Sequence, residues 1–264
     1  MARVLVVQNG PGGGPGRFGD WLVEGGEASG NGSGLALDVV HAYDGAALPE
    51  RLAHEAVLVL GGGYLPDADE RAPWLAPTRA LVSQALAAQV PVFGICLGGQ
   101  LLAQVAGGTV RGEHGAPEAG STPLTLRPEA AGDPLFDGLP TRLTAVENHV
   151  DAITALPAGA HWLMESEHCP YQAFRYGTRA WGVQFHPETT AAQVAAWEPE
   201  RLRALGFDPA ELRRTAERDE PAATPVWRQV AHRFAAVVTG SAADGTTAGT
   251  PDAETVRTAR LTGA

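Results

Sequence analysis

Short apolar runs alternate with amphipathic stretches along the first 106 residues of the chain. Runs rich in Val, Leu and Ile occur at residues 3–7, 36–41, 57–60 and 92–95. Helix-like segments lie at residues 17–24, 76–89 and 97–106. Continuous apolar strands separated by helices are typical of a parallel sheet that is covered on both faces. The pattern therefore predicts an α/β fold with three layers and a mostly parallel central sheet.

Between residues 109 and 185 the pattern changes to short extended runs separated by turn residues. Such runs occur at residues 124–126, 143–146, 171–175 and 181–185. Short runs with frequent turn signals predict antiparallel strands, which we expect to be added to the parallel sheet. The last run should return to the centre of that sheet.

Apolar residues four apart predict one more helix near the C-terminus. Thr224 and Pro225 are residue types favoured at the N-cap and the first helical position, and Gly240 is typical of a helix end. The stripe that should pack on the body comprises Val226, Val230, Phe234 and Val238.

Two segments have compositions unlike the rest. Residues 25–34 are rich in Gly and Ser, which predicts a flexible surface loop. Residues 241–264 are polar and nearly free of large apolar side chains, which predicts a disordered tail. We therefore expect a domain over residues 1–190, a helical extension over 191–240 packed on the same domain, and a tail over 241–264.

Charge and composition exclude several classes of protein. The 264 residues carry a net charge of −11, which argues against nucleic acid as a partner. No apolar run is long enough to span a membrane, and the first run stops at Gln8, too early for a secretion signal. Two cysteines make no disulfide framework. We expect a cytoplasmic protein.

The stretch VFGICLGGQ, residues 92–100, places Cys96 between a predicted strand and a predicted helix. Gly94 and Gly98 leave room for a tight turn that exposes the thiol at the end of the sheet. The helix N-terminus stabilises negative charge on the sulfur and offers N–H donors to an oxyanion. A small buried cysteine at a tight crossover explains this motif equally well when it stands alone.

Two further stretches bear on that choice. In QFHPE, residues 184–188, His186 and Glu188 are two apart on an extended backbone, so the carboxylate can orient the imidazole. Alone, this motif is more often an ordinary exit from a strand. Gly61, Gly62 and Gly63 follow the third predicted strand, where backbone N–H groups can approach an anion, although a plain turn is as common there.

Together and in this order, LGGGYL, GICLGGQ and QFHPE resemble the class I glutamine amidotransferase family, whose fold is flavodoxin-like. The resemblance runs from about residue 3 to residue 190 and is nearer to free-standing members similar to the glutaminase domain of GMP synthase. Segments that carry it include GGTVRGEHGAPEAG, the sequence NHVD at residues 148–151 and CPYQAF at residues 169–174.

The resemblance implies a role for each matching residue. Cys96 would attack the side-chain amide of L-glutamine, His186 would transfer protons and Glu188 would orient His186. The N–H groups of Gly62 and Leu97 would hold the oxyanion. The substrate would be held by residues that the resemblance also supplies, namely Gly61, Gln100, Asn148, His149 and Val150. Val150 and the pair Gly63 and Tyr64 depart from common family patterns, which leaves the shape of the pocket open.

Neither a metal ion nor a cofactor is expected. Cys169 is interpreted as structural, and the remaining histidines lack the close spacing of a zinc site: His41, His54, His114, His161 and His168. The glycines of residues 12–16 lack the pattern of a phosphate loop and are interpreted as a rim of the pocket.

The sequence thus predicts a cysteine-dependent glutaminase that gives glutamate and ammonia, with a synthetase on another protein as the ammonia acceptor. Two alternatives stay open. One is a hydrolase that acts on a small γ-glutamyl conjugate, and the other is a catalytically silent regulatory module.

Overall fold

The structure, a computed structural model, describes residues 1–28 and 34–240. The helices in these residues are α1 (Gly16–Ala28), α2 (Leu75–Ala87), α3 (Leu97–Val105), α4 (Ala191–Ala195), α5 (Pro199–Ala204) and α6 (Pro209–Thr239). The strands are β1 (Ala2–Gln8), β2 (Leu35–His41), β3 (Ala56–Val59), β4 (Val92–Ile95), β5 (Thr109–Arg111), β6 (Glu118–Leu126), β7 (Arg142–His149), β8 (Ala152–Ala155), β9 (His161–Glu165), β10 (Ala173–Tyr176) and β11 (Ala180–Val183).

A parallel block forms half of the central sheet and has the order β2-β1-β3-β4-β11. Alternate residues of β1 enter different cores: Val4 and Val6 pack with α1 and α6, whereas Leu5 and Val7 pack with α2 and α3. Because side chains alternate along a strand, a strand buried on both faces must be apolar throughout. The predicted three-layer α/β fold is confirmed.

Antiparallel strands complete the sheet in the order β11-β10-β9-β6-β7, and β5 pairs with β8 in a separate ribbon. β11 lies between β4 and β10, parallel to the first and antiparallel to the second. The last extended run therefore returns to the centre of the sheet, as the sequence predicts. Its carboxyl end lies beside the carboxyl end of β4, where Cys96 follows.

The predicted start of the last helix is wrong. Asp208 caps α6 by accepting a hydrogen bond from the N–H of Ala210, and the helix runs on through Pro221 and Pro225. The hydroxyl of Thr224 donates to the carbonyl of Glu220 instead of capping. A proline removes one helical hydrogen bond, but packing of the long helix on α1 and the sheet outweighs that loss. The predicted end is right, since Gly240 adopts φ 70°.

The predicted flexible loop is wrong over residues 25–28, where α1 continues. Gly25 and Gly26 are buried, and side chains there would meet His232 of α6 and Leu35 of β2. These glycines therefore allow close packing and do not mark a loop. Residues 29–33 and the predicted tail over 241–264 lie outside the described residues. No helix among the described residues is long and apolar enough to cross a membrane.

Candidate active site

Cys96 occupies a strained turn between β4 and α3. Its backbone adopts φ 50° and ψ −109°, a region that costs a non-glycine residue about 1–3 kcal/mol. A Cβ on Gly94 would lie 2.4 Å from the backbone of Gly98, and one on Gly98 would lie 2.0 Å from the carbonyl oxygen of Val59. The two flanking glycines are therefore required by the close approach of the backbones, as the motif predicts.

His186 and Glu188 form the second part of the site just after β11. His186 Nδ1 lies 2.7 Å from Glu188 Oε1, and the His186 N–H donates to the carbonyl of Val146 at 2.7 Å. With Nδ1 facing the carboxylate, the Nε2 side of the ring is left to face the thiol. Burial acts to lower the pKa of His186, but Glu188 and Cys96 together outweigh it and raise that pKa well above its usual value.

Gly61 lies between the thiol and the imidazole. A Cβ at this position would be 2.8 Å from His186 Cε1 and 3.5 Å from Cys96 Cβ. No side chain can therefore be added here unless the ring or the loop moves. The glycine permits the loop after β3 to pack directly against the two reactive groups.

Arg17, the second residue of α1, holds the segment that carries His186 and Glu188. Its guanidinium donates to the carbonyls of Pro187 at 3.1 Å and Thr189 at 2.6 Å, and to Glu220 of α6 at 2.8 Å. Burial lowers the pKa of Arg17, although Glu220 and Glu188 oppose that shift. The rigid fork of arginine suits several fixed acceptors at once, so this side chain fixes the segment between α1 and α6.

The backbone N–H groups of Gly62 and Leu97 make no hydrogen bond to any acceptor in the described ranges. Gly62 is held against Leu97, since a Cβ on Gly62 would lie 2.8 Å from Leu97 Cδ2. Asn9 fixes the loop by donating to the carbonyl of Leu60 at 2.7 Å and accepting from Trp74 at 3.0 Å. Of these two free donors, the N–H of Leu97 belongs to the residue after Cys96, and Gly62 packs against Leu97.

A cavity of about 430 Å³ opens onto Cys96, His186 and Glu188. Gly61, Gly62 and Asn148 also line it, as do Gly12 and Gly13 of the predicted rim. The structure does not bring every predicted substrate residue there: Gln100, His149 and Val150 are not among the lining residues. Gln100 is buried and donates to Asp151 and Gln184, so its role in binding substrate stays a prediction.

Several residues of the site escape the sequence analysis. Gln184 donates to the sulfur of Cys96 at 3.6 Å, and Thr189, Trp197 and Arg201 line the cavity. Asn9 and Gln184 lie at strand ends, which is a signal that could have found them. Trp197 and Arg201 come from the helical extension, and nothing in their local pattern indicates that α4 and α5 fold over the cavity.

The arrangement is suited to nucleophilic attack on a carbonyl carbon. A thiol, an imidazole oriented by a carboxylate and Gly62, whose N–H is free, line one cavity. Leu97, whose N–H is also free, directly follows the residue that carries the thiol. These are the parts that acyl transfer through a covalent thioester requires. The geometry by itself does not name the acyl group.

Comparisons with known proteins show which family this site and fold belong to. Residues 31–196 match the model of the family "Glutamine amidotransferase class-I". The chain is 40% identical over 143 residues to a GMP synthase [glutamine-hydrolyzing] of Porphyromonas gingivalis, which covers 53% of this chain and 26% of that protein. A GMP synthase of a Parafrankia species is 39% identical over 141 residues, with 52% and 24% covered. The chain thus spans about a quarter of the length of these curated relatives.

Solved structures agree with the sequence comparison. A glutamine amidotransferase of Thermotoga maritima superposes with a TM-score of 0.76 at 28% identity, covering 89% of this chain and 98% of that one. A glutamine amidotransferase of Methylobacillus flagellatus gives a TM-score of 0.72 at 29% identity, covering 92% and 96%. The family match extends over more than half of the chain, and it includes Cys96. The chain belongs to the class I glutamine amidotransferase family.

Proposed function

We propose that this protein hydrolyses the side-chain amide of L-glutamine to glutamate and ammonia. The observation that carries the proposal is the convergence of Cys96, His186 and Glu188 on one cavity. The GMP synthase relatives are named as glutamine-hydrolysing enzymes. Residues 31–196, which match the family, include Cys96 and His186.

The reaction starts when His186 Nε2 takes the proton of the Cys96 thiol and the sulfur attacks the amide carbon. The carbonyl oxygen becomes an oxyanion, which accepts hydrogen bonds from the N–H groups of Gly62 and Leu97. His186 donates its Nε2 proton to the amide nitrogen, the C–N bond breaks, and ammonia leaves a γ-glutamyl thioester on Cys96. Glu188 keeps the ring oriented and stabilises the imidazolium.

Water completes the cycle. His186, now neutral, takes a proton from a water molecule whose oxygen attacks the thioester carbon. The C–S bond breaks, His186 returns its proton to the sulfur and glutamate leaves, which restores the thiol and the neutral imidazole. Ammonia then passes to an acceptor on a partner protein, and we propose a synthetase in that role by analogy with the GMP synthase relatives.

A γ-glutamyl conjugate is the second candidate substrate. The cavity of about 430 Å³ is lined by Trp197 and Arg201 in addition to the reacting groups. That volume lies in the range of pockets that hold drug-sized ligands. An aromatic and a cationic side chain at the rim can contact a leaving group larger than ammonia.

The test measures glutamate and ammonia release by the purified chain, first with glutamine and then with a panel of γ-glutamyl amides. Cys96→Ala should abolish release from any of them. A glutamine-like electrophile should label Cys96 alone, and peptide mapping provides the control, because Cys169 is the other cysteine and does not line the cavity. Release that survives Cys96→Ala would overturn the proposal, and a strong preference for one conjugate would select the second candidate.

Addition of candidate synthetases separates two modes of action. Glutamine hydrolysis that rises when a synthetase and its substrates are added identifies an ammonia donor. Steady hydrolysis that no synthetase changes indicates an enzyme that acts alone, which would contradict the proposed partner while leaving the proposed chemistry intact.

A further inference from the structure

Four side chains of types that bind metal ions lie close together on the face of β7 opposite Asn148, which lines the cavity. Glu118 begins β6 and stands directly opposite His149 at the end of β7. Glu147 lies two residues before His149, and Cys169 lies in the turn before β10. All four are buried, with Glu147 fully so. The ligand atoms of Glu118, His149 and Cys169 lie within 4.8 Å of one another.

Acceptor atoms outnumber donors in this cluster. His149 Nδ1 lies 3.1 Å from the carbonyl of Asp151, which can only accept, so Nδ1 carries the hydrogen. Nε2 lies 3.0 Å from Glu118 Oε2 and 3.4 Å from Glu147 Oε2. Carboxylate oxygens only accept, so Nε2 meets them either as an N–H donor or as a lone pair that shares a cation with them.

The carboxyl group of Glu147 is the second observation that points to a cation at this cluster. It is 0% exposed, and neither of its oxygens has a hydrogen-bond partner in the described part of the chain. The nearby amide of Gln172 instead donates to Glu118 at 2.7 Å and to Ser166 at 3.2 Å. A buried carboxyl group is ordinarily paired, bound to a metal ion or protonated, because desolvation of an isolated charge is costly.

We propose that Glu118, Glu147, His149 and Cys169 bind one divalent metal ion, and that zinc is the ion for which this donor set is suited. Zinc accepts sulfur, nitrogen and oxygen in tetrahedral geometry, and its bond lengths put neighbouring ligand atoms about 3.3–3.7 Å apart. The two distances from His149 Nε2 are close to that range. Calcium and magnesium prefer oxygen atoms alone.

Outer contacts already orient the ligands as a metal site requires. The hydrogen bond from His149 Nδ1 to Asp151 fixes the ring with Nε2 toward the cluster. Ser166 donates to Glu118 Oε1 at 2.7 Å, and Gln172 donates to Oε2, which fixes that carboxylate. The expectation from sequence is no metal, because the ligands are dispersed over residues 118–169 without a recognisable spacing.

The ion stabilises the floor of the active site. It ties β6, β7 and the turn before β10 together, and β7 also carries Asn148, which lines the cavity. The carbonyl of Val146 in β7 accepts the hydrogen bond from His186 N–H. With four protein ligands, the site has no open position for substrate, so its role is structural.

The test uses the full chain, expressed without a histidine tag and supplied with zinc. Elemental analysis should find one zinc per chain after gel filtration. Protein stripped with a chelator should melt at a lower temperature and regain its melting temperature with zinc. With Co²⁺ it should show the visible bands of tetrahedral cobalt and a thiolate charge-transfer band in the near ultraviolet.

Variants assign the ligands. Cys169→Ser should abolish the charge-transfer band, whereas the matched control Cys96→Ser should keep it. Glu147→Gln, nearly isosteric, should weaken zinc binding more than about 100-fold, because loss of an outer-shell partner alone costs about 10- to 100-fold. If Cys169→Ser does not fold, the wild-type spectra and Glu147→Gln still decide the question.

Three results would overturn the proposal. The first is that the purified chain contains no zinc and that its melting temperature changes with neither chelator nor added zinc. Protons or water would then lie between the carboxyl groups and His149. Another is a charge-transfer band that Cys96→Ser removes and Cys169→Ser keeps, which would place cobalt on the catalytic thiol. The third is Glu147→Gln that binds zinc as tightly as wild type.

Discussion

Replacement of Gly61 by alanine tests the packing of the reactive pair most directly. The new Cβ would lie 2.8 Å from His186 Cε1, about 0.6 Å closer than ordinary van der Waals contact allows. The ring cannot simply rotate away, because Glu188 holds Nδ1 at 2.7 Å and the backbone N–H is bonded to Val146. The imidazole must therefore shift relative to the thiol.

The expected loss follows from the size of that shift. A misplacement of about 1 Å costs about 100-fold in rate, so a shift of about 0.6 Å should lower kcat for glutamine by about 10- to 100-fold, or about 1.4–2.7 kcal/mol. The KM should change little, because the new methyl group would contact His186 and Cys96, which carry out the reaction, and not the residues that hold the rest of the substrate. Steady-state release of glutamate measures both constants.

Gly63 provides the matched control in the same loop. A Cβ there would meet nothing within 4 Å, so Gly63→Ala should lose no more than a few-fold in kcat. Thermal unfolding should show both variants folded. The reasoning is refuted if Gly61→Ala retains kcat within about threefold of wild type, or if the two variants lose activity equally.

Three more predictions concern groups around the thiol. Glu188→Gln should lower kcat by about 100-fold or more and lower the pKa of His186, because it removes a charge that raises that pKa; an NMR titration of the ring that does not shift would contradict this. Because the pKa of His186 is raised in the folded protein, protonated His186 stabilises the fold at pH values below the ordinary histidine pKa, and this stabilisation is lost as the pH rises through the raised pKa. The unfolding free energy that Glu188→Gln loses relative to wild type should therefore shrink at high pH. Arg17→Ala should cost about 2–3 kcal/mol in denaturant unfolding and lower kcat, and Arg17→Lys should restore little of either, because lysine cannot reach several acceptors at once; full recovery by lysine would show that charge alone matters. Arg201→Ala should raise KM for glutamine by about fivefold with kcat unchanged, because an exposed guanidinium contributes up to about 1 kcal/mol to a carboxylate; an unchanged KM would remove Arg201 from substrate binding.

Local signals predict the elements best where one physical cause dominates. β4 follows the predicted bounds because an apolar run in a buried parallel strand has no competing interpretation. The sequence predicts the wrong start for α6 because Thr224 and Pro225 are favourable residues for a helix N-terminus. The helix nevertheless continues on both sides of them, because its contacts with α1 and the sheet stabilise it. The loop predicted at Gly25 and Gly26 is wrong for a related reason, because glycine occurs where backbones pack closely as well as in loops.

The sequence by itself predicted the reactive groups of the candidate site. Three motifs supply a thiol at a strand–helix turn, an imidazole beside a carboxylate and a glycine loop, and each depends on spacing of at most five residues. Such short spacings restrict local geometry, although each motif alone has an ordinary structural interpretation and only the three together predict the site. The tertiary structure alone decided what surrounds them.

Long-range packing brought Arg17 and Arg201 to the site and buried Glu118, Glu147 and Cys169 behind it. The separations of these residues along the chain carry no local signal. Their meeting depends on the order of strands in the sheet and on the fold of the C-terminal helices over it. Only the complete fold brings charged groups that are distant in sequence, such as Arg17 and Glu220, within hydrogen-bond distance of one another.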